Sequence, residues 1–292
     1  MRISRRAVLA GGTAGALGAA AVGVGGFTAV DRGLLPGRAR LRRAFGMTGQ
    51  DGTVPDAPPG TVETFRRRSA ARGGEVEVVT MLPQGARPEG LPVVLALHGA
   101  AARAATWIDL GLPRFLTAAV RAGTPPFAVV AVDGGDHSYW YERQAGDDPE
   151  AMVFRELPRW IALRGFAVPS GLLGVSMGGA GALRMARRRP PAALAVVSPA
   201  LFPTFADARP AAAYADRAVW KAHEPLAGPQ GRVAGRLGVW CGTEDPFVEP
   251  ARKLARRADA DVAEFDLGLH TWGYWRRVMP SVLAFLGVAL SR

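Results

Sequence analysis

The stretch GLLGVSMGGAGAL, Gly171 to Leu183, places its one serine, Ser176, between Gly174 and Gly178. An apolar run precedes the serine and an alanine-rich run follows it. Glycine tolerates unusual backbone dihedrals and lets two backbones approach closely. A serine at the apex of a sharp strand-to-helix turn presents its hydroxyl at the edge of a sheet, as in a nucleophile elbow. The stretch therefore predicts such an elbow at Ser176, provided that the rest of the chain supplies a parallel sheet.

From about Gly74 onwards, short apolar runs alternate with longer helical patterns. The run 75–81 alternates like an edge or half-buried strand. Continuous apolar runs, which are typical of strands covered on both faces, follow at 92–97, 127–132, 172–175, 194–197 and 237–241. Candidate helices lie at 112–122, 149–163, 179–189, 249–257 and 271–290. The pattern predicts an α/β fold of the α/β-hydrolase type, with a largely parallel sheet flanked by helices and no large cap domain.

A serine hydroxyl becomes a nucleophile when a base takes its proton and an acid orients that base. In α/β-hydrolases the acid and then the histidine follow the serine along the chain. Two histidines follow Ser176, and we favour His270, which comes after a predicted strand, over His223, which lies in a polar helical segment and is expected at the surface. We favour Asp245 as the acid, in the loop after 237–241; the alternatives are Glu244 and, less favoured, Asp266.

An acyl-transfer enzyme also needs hydrogen-bond donors for the developing oxyanion. One expected donor is the backbone N–H of Met177, which follows the serine, and the other is the N–H of Ala100, in the loop after the strand at 92–97. His98 in that loop precedes the serine, the wrong order for a base, so we expect it to fix the loop and to border the pocket. A second group is predicted either to line the substrate pocket or to form a buried aromatic cluster: His137, Tyr139 and Trp140.

The N-terminus has the features of an export signal. Arg5 and Arg6 precede 24 uncharged residues that are rich in glycine and alanine and only mildly apolar. We predict a twin-arginine signal or membrane anchor at 1–30, a basic and Gly/Pro-rich linker at 31–73, and a catalytic domain at 74–292. The expected location is outside the cytoplasm, secreted or associated with the cell envelope, and the same segment would provide any membrane association.

The net charge of +11 does not indicate a nucleic-acid partner, because residues 1–43 carry +7 of it. Arginine-rich runs in the remainder, Arg66–Arg68 and Arg187–Arg189, are interpreted as solvated faces. The four histidines are widely spaced and match no metal-binding motif, so neither a metal nor another cofactor is expected. The single cysteine, Cys241, excludes a disulfide within the chain.

These residues resemble the "Putative esterase" family of α/β-hydrolases, which includes esterase D (S-formylglutathione hydrolase) and the antigen 85 mycolyltransferases. The resemblance spans about 76–290 and rests on LHG from Leu97, GVSMGGAGAL from Gly174, CGTEDPF from Cys241 and GLHTWGYWRRVMP from Gly268. The chain looks most similar to exported actinobacterial members, which have similar leaders and VDGG segments. By motif, the resemblance implies a Ser176, Asp245 and His270 triad, with the amides of Ala100 and Met177 as oxyanion donors.

The resemblance implies hydrolysis of small-molecule or lipid carboxylic esters through an acyl-enzyme. An alternative is transfer of an acyl group to a sugar or lipid alcohol of the cell envelope, and a third, less favoured, is a non-catalytic envelope-binding module. Antigen 85 proteins use a glutamate as the acid and carry a disulfide, neither of which this sequence reproduces. Mycolyl transfer to trehalose is therefore not implied.

Overall fold

The computed structural model describes residues 42–44, 46, 48–229 and 231–291. The chain divides into two compact units, Met1–Gly49 and Gln50–Arg292. The signal predicted at 1–30 lies outside the described residues, as does the beginning of the predicted linker. The second unit contains the sheet and the candidate site. Within the described part of the chain, no helix has the length and apolar character that crossing a membrane requires.

One sheet of eight strands organises the described part of the second unit. The strands are β1 (Val62–Ser69), β2 (Gly74–Met81), β3 (Val93–Leu97), β4 (Ala128–Val132), β5 (Gly171–Val175), β6 (Ala193–Val197), β7 (Arg236–Trp240) and β8 (Val262–Glu264). Their order across the sheet is β1-β2-β4-β3-β5-β6-β7-β8. Strand β2 pairs antiparallel with β1 and with β4, and the remaining neighbours are parallel. The prediction of a largely parallel sheet is confirmed.

Helices connect the strands and cover both faces of the sheet. They are α1 (Thr106–Leu110), α2 (Leu112–Arg121), α3 (Pro149–Ala151), α4 (Leu157–Ala162), α5 (Met177–Arg188), α6 (Phe205–Ala208), α7 (Arg217–His223), α8 (Val248–Arg257) and α9 (Trp272–Leu290). A π-helical segment, Met152–Glu156, joins α3 to α4. The segment between β6 and β7 holds only short helices, in agreement with the prediction that the chain has no large cap domain.

The central strands are buried from end to end, as their apolar sequences predict. Successive residues of β4 pack on opposite faces: Val130 belongs to one hydrophobic cluster and Val129 to the other. Helix α5 covers the first face with Leu183 and its neighbours, and α9 covers the second with Val282 and its neighbours. The helices thus bury both faces of the sheet, and the loops at the carboxyl ends of its parallel strands meet along one edge.

The predicted boundary at residue 74 needs a correction, because β1 lies inside the range predicted as linker. All eight residues of β1 pair with β2, from Val62 opposite Met81 to Ser69 opposite Gly74. As the outermost strand, β1 remains largely exposed and can carry Arg66–Arg68, so its sequence lacks the apolar signature of the inner strands. The folded unit therefore begins well before Gly74.

The helix predicted at 149–163 is also interrupted in the structure. Pro158, the second residue of α4, has no N–H to donate to the preceding turn. The backbone there widens into the π-helical segment Met152–Glu156. The pattern of apolar residues predicted the existence of the helix but not this change in its hydrogen bonding.

Candidate active site

Ser176 lies at the turn between β5 and α5, with a φ of 54° and a ψ of −121°. Such a positive φ is unfavourable for a residue with a side chain and persists only where the surroundings enforce it. Here the Ser176 N–H donates to Val197 O at 3.0 Å, and the Ser176 carbonyl accepts from the N–H of Ala200, also at 3.0 Å. The strand β6 and the loop that follows it thereby hold the elbow in place.

Two glycines make this turn sterically feasible. A Cβ atom on Gly174 would lie 2.3 Å from Gly178 O, and one on Gly178 would lie 2.0 Å from Leu97 O. Neither position can accept a side chain without moving the backbone. The glycines flanking Ser176 thus let α5 start directly against β3 and β5, with the serine half-buried at the edge of the sheet.

The loops after β7 and β8 carry the other two members of the predicted triad. The N–H of Thr243 donates to Asp266 O at 2.8 Å, and the N–H of Glu244 donates to Gly268 O at 2.9 Å. A Cβ on Gly242 would lie only 2.4 Å from Gly268. These backbone contacts continue the pairing of β7 and β8 beyond the strands and bring Asp245 close to His270.

Three side chains form a continuous hydrogen-bonded chain at this edge. His270 Nε2 lies 3.0 Å from Ser176 Oγ, and His270 Nδ1 lies 2.8 Å from Asp245 Oδ2. The other carboxylate oxygen of Asp245 accepts the N–H of Phe247 at 2.9 Å. The Asp245 side chain is fully buried, whereas the imidazole is 26% exposed. A carboxylate in this position can accept a hydrogen bond from Nδ1–H, which leaves Nε2 available to accept a proton from the serine hydroxyl.

The carboxylate that contacts His270 is that of Asp245, not that of the alternatives. Glu244, the adjacent residue, is half-buried, and Asp266 is exposed in the loop after β8. Phe247 and Trp275 pack edge-on against the imidazole of His270, with ring centroids 5.4 and 5.2 Å away. The indole N–H of Trp275 in turn donates to Ser198 Oγ at 3.1 Å. The imidazole is therefore fixed by aromatic rings as well as by the carboxylate.

The expected oxyanion donors lie on either side of Ser176. Met177 is the first residue of α5, where a backbone N–H has no partner within the helix. Ala100 borders the same pocket as Ser176. The loop that carries it passes very close to the nucleophile, since a Cβ on Gly99 would lie 3.4 Å from Ser176 Cβ. This arrangement can direct two amides towards a carbonyl oxygen bound at Ser176.

His98 is buried and has a structural environment. Its Nε2 accepts the N–H of Gly134 at 2.9 Å, and its Nδ1 lies 2.8 Å from Gly99 O. Burial lowers the pKa of His98, so the ring stays neutral and joins two loops. This arrangement fits the expected loop-fixing role, and the ring also borders the pocket.

The suggestion that Tyr139 and Trp140 line the pocket needs correction. Trp140 is completely buried against Gly134 and Gly181, and its indole N–H donates to His98 O at 3.1 Å. Tyr139 packs in a buried group of rings with Phe202 and Tyr214. Tyr139 and Trp140 are therefore buried aromatic residues, which was the alternative prediction for this group. The remaining member of the group, His137, has a side chain that is 58% exposed and lies 3.6 Å from Asp136.

A pocket of about 350 Å³ opens beside Ser176 and His270. Three tryptophans border it, one from α1 and two from the beginning of α9: Trp107, Trp272 and Trp275. Small residues of the Ala100 loop and Leu110 supply much of the rest, and Asp109 is the one acidic residue in the lining. Reasoning from the sequence missed these tryptophans. The HTWGYW stretch, which begins at His270, carried a signal, because it places two tryptophans within five residues of the base.

The model of the family described as "Putative esterase" matches residues 69–286. This range covers most of the chain and contains the whole constellation around Ser176. The chain belongs to the "Putative esterase" family. It is a carboxylic ester hydrolase with the α/β-hydrolase fold, as the resemblance of its motifs implied. A search of curated protein sequences gives no significant match.

Solved structures of esterases share this fold. An S-formylglutathione hydrolase from Agrobacterium tumefaciens has a TM-score of 0.64 at 20% identity, covering 82% of this chain and 98% of its own. A ferulic acid esterase has a TM-score of 0.64 at 18% identity, and the match covers 79% of this chain and 98% of the ferulic acid esterase. MPT51 of Mycobacterium tuberculosis has a TM-score of 0.59 at 19% identity, and the match covers 79% of this chain and 99% of MPT51. The esterase thus shares its fold with these proteins over nearly their full lengths.

His223, the alternative base, lies elsewhere in the esterase fold. Its ring stacks on Tyr141 with centroids 4.3 Å apart, and its Nδ1 lies 3.4 Å from Arg184. Burial, with the cations Arg184 and Arg188 nearby, lowers the pKa of His223 to about 4. It is half-buried rather than on the open surface, which corrects the expectation of a surface residue. In the described part of the chain, no cluster of histidine, cysteine and acidic residues could hold a metal ion.

Proposed function

We propose that this esterase hydrolyses carboxylic esters through an acyl-enzyme on Ser176. Ser176 Oγ attacks the carbonyl carbon while its proton passes to His270 Nε2. The tetrahedral intermediate carries an oxyanion that accepts hydrogen bonds from the amides of Ala100 and Met177. Its collapse breaks the bond to the alcohol oxygen, which takes the proton from His270.

A water molecule then completes the cycle. His270 Nε2 takes a proton from this water as the water oxygen attacks the acyl-enzyme carbonyl. The second tetrahedral intermediate collapses to a carboxylic acid, and the proton returns to Ser176 Oγ. The Asp245 carboxylate orients His270 and stabilises the imidazolium that forms in each half of the reaction, without itself taking the proton. The single observation that carries the proposal is the chain of contacts from Asp245 through His270 to Ser176 Oγ.

The pocket supports an ester with a compact apolar group. A volume of about 350 Å³ lies at the small end of the range for small-molecule sites. Trp107, Trp272 and Trp275 offer flat apolar surfaces to such a group. The ferulic acid esterase named above is a structural neighbour whose substrate contains an aromatic ring, which fits a pocket of this kind. We therefore include small aryl and short-chain esters in the proposed substrate class.

The test uses p-nitrophenyl esters of increasing acyl length with the wild-type protein and Ser176→Ala. Wild type should hydrolyse the short esters, and the variant should lose about 10⁴-fold or more in kcat. A fluorophosphonate probe should label wild type and leave the variant unlabelled, while circular dichroism shows both folded. Equal hydrolysis by the two proteins would refute the proposal. Product analysis with added sugar or lipid alcohols distinguishes hydrolysis from acyl transfer.

We also propose that the chain is exported through the twin-arginine pathway. The support is in the sequence alone: Arg5 and Arg6 precede a long uncharged segment rich in glycine and alanine. Replacement of both arginines by lysine should retain the chain in the cytoplasm of a host with that pathway. Cell fractionation with activity assays measures the location, and equal export of the two forms would contradict the proposal.

A further inference from the structure

The loop that carries Ala100 is held by the loop after β4. Gly134 N–H donates to His98 Nε2 at 2.9 Å, and Trp140 Nε1 donates to His98 O at 3.1 Å. At the other end of the same loop, Ala104 N–H donates to Asp133 Oδ1 at 2.7 Å. The position of the Ala100 amide is therefore set by residues of a neighbouring strand end.

One further contact lies directly beside Ala100. The N–H of Ala101 donates to Asp136 Oδ1 at 2.7 Å, a charge-assisted hydrogen bond. Ala101 has a φ of 54°, an unfavourable value for alanine that must be imposed by its surroundings. Because the peptide unit between Ala100 and Ala101 is planar, fixing the Ala101 N–H also fixes the Ala100 carbonyl. Only the φ and ψ of Ala100 separate that carbonyl from the Ala100 N–H, so the direction of this N–H is restricted as well.

We infer that Asp136 is a positioning residue for the oxyanion site. Its carboxylate holds the Ala101 N–H, and with it the Ala100 carbonyl of the same peptide unit, so that the Ala100 backbone presents its own N–H to the carbonyl oxygen of an ester bound at Ser176. Asp136 itself does not touch the reacting atoms. The inference rests on the proposed function, because the oxyanion forms only if Ser176 attacks an ester.

The charge of Asp136 acts against the same reaction. A carboxylate near a developing oxyanion repels it, although the 65% exposure of the Asp136 side chain screens that repulsion. The benefit of Asp136 is therefore geometric: it supplies an acceptor oxygen, and its negative charge is dispensable. Asn offers a comparable carbonyl oxygen without the charge, and alanine offers neither.

The experiment compares Asp136→Ala and Asp136→Asn with wild type on a short p-nitrophenyl ester. Asp136→Ala should lower kcat about tenfold with little change in KM. One oxyanion donor contributes a factor of about 10² to 10³ to kcat, and a displaced donor loses part of that factor. Asp136→Asn should regain wild-type kcat or exceed it. Asp216→Ala is the matched control, since Asp216 is also exposed and accepts a backbone N–H, from Val219, at 2.8 Å.

A trifluoromethyl ketone gives a second readout that loss of folding would not mimic. Ser176 Oγ adds to its carbonyl carbon, the serine proton passes to His270, and the hemiketal oxyanion occupies the oxyanion site. Its inhibition constant should rise about tenfold in Asp136→Ala, in parallel with the fall in kcat/KM, while affinity for the carboxylic acid product stays the same.

The outcomes separate the two proposals. If wild type neither hydrolyses esters nor reacts with the fluorophosphonate, the proposed function fails. If wild type does both and Asp136→Ala matches it in kcat and in ketone affinity, the role of Asp136 is wrong. A loss in Asp136→Ala that Asp136→Asn does not restore would also overturn it, because the inference requires the acceptor oxygen alone.

Discussion

Two imidazoles follow Ser176 along the chain, and the structure surrounds them very differently. His270 lies between a buried carboxylate and a hydroxyl, at 2.8 and 3.0 Å. His223 lies beside the guanidinium of Arg184, at 3.4 Å, and stacks on Tyr141. Both rings are partly buried and both contact aromatic residues. The difference in charge around them therefore decides which ring can act as a base.

An imidazole that takes a proton must tolerate a positive charge. Asp245 stabilises that charge on His270. Around His223, burial and the cations Arg184 and Arg188 oppose the charge and lower the pKa to about 4. The Arg184 guanidinium donates, so His223 Nδ1 accepts, which places the ring proton on Nε2. His223 is thus a neutral structural residue at the pH values where an esterase is assayed.

The largest expected difference between the two regions is in catalysis. His270→Ala should lower kcat for short esters by about 10⁴-fold, because the proposed mechanism passes the Ser176 proton to His270. His223→Ala should change kcat less than about threefold, since its contacts stabilise the segment between β6 and β7. Steady-state kinetics on the purified variants measure both effects. A comparable loss in the two variants would mean that the charge argument is wrong.

The sequence predicted the central part of the fold because burial on both faces demands apolar strands. The runs at 92–97, 127–132 and 194–197 correspond to β3, β4 and β6 within a residue or so. It could not predict β1, because this exposed edge strand needs few apolar residues, and Arg66–Arg68 occupy three successive positions on both of its faces. Pairing with β2, a long-range contact, defines that strand rather than its own composition.

A smaller difference separates the two neighbouring acids, Glu244 and Asp245. Asp245→Asn should lower kcat about 10³-fold, because an amide that donates to Nδ1 stabilises the tautomer in which Nε2 carries the proton. Glu244→Gln should lower kcat less than about threefold, since the carboxylate on His270 belongs to Asp245. The measurement is kcat against pH for both variants. A larger loss in Glu244→Gln than in Asp245→Asn would reverse the assignment of the acid.

The candidate site was predictable where strand order and motif restrict the choices, and unpredictable where side-chain direction decides. The order serine, acid, histidine led to Ser176, Asp245 and His270, whose atoms the structure brings into contact. Trp140 shows the limit, because its indole turns inward against Gly181 rather than towards the pocket. The pocket instead uses Trp107 from α1, a short helix that periodicity did not reveal.

The smallest expected effect concerns stability near His223. Its neighbour Glu224 is buried, and burial raises its pKa to about 7. The carboxylate accepts hydrogen bonds from Phe202 N–H, Tyr214 O–H and Leu226 N–H. Between about pH 4.5 and 7 the folded chain holds a proton on Glu224 that the unfolded chain has released. The Glu224 contribution to the free energy of unfolding therefore falls as pH rises through this window, by about 3 kcal/mol in total.

His223 contributes with the opposite sign. Its folded pKa lies below the ordinary value of 6.5, so between about pH 4 and 6.5 the unfolded chain binds a proton that the folded chain does not. The contribution of His223 to the free energy of unfolding is complete above pH 6.5 and is lost as pH falls towards 4. In wild type, Glu224 and His223 therefore change the free energy of unfolding in opposite directions as pH rises. Urea unfolding at pH 4.5, 5.5, 6.5 and 7.5 should therefore show a steeper decline of stability with pH in His223→Gln than in wild type.

Glu224→Gln provides the complementary measurement. Gln retains one acceptor oxygen, so the variant loses stability at every pH. Because Gln has no proton to release, the stability of the variant relative to wild type should increase as pH rises from 4.5 to 7. The sign of that relative slope tests the argument independently of the overall loss. Parallel curves for wild type and Glu224→Gln would show that the Glu224 carboxyl titrates alike in the folded and unfolded chains. Burial of Glu224 would then not oppose its ionisation. The contrast between the surroundings of His270, which stabilise a charge, and those of His223 and Glu224, which disfavour one, would no longer hold.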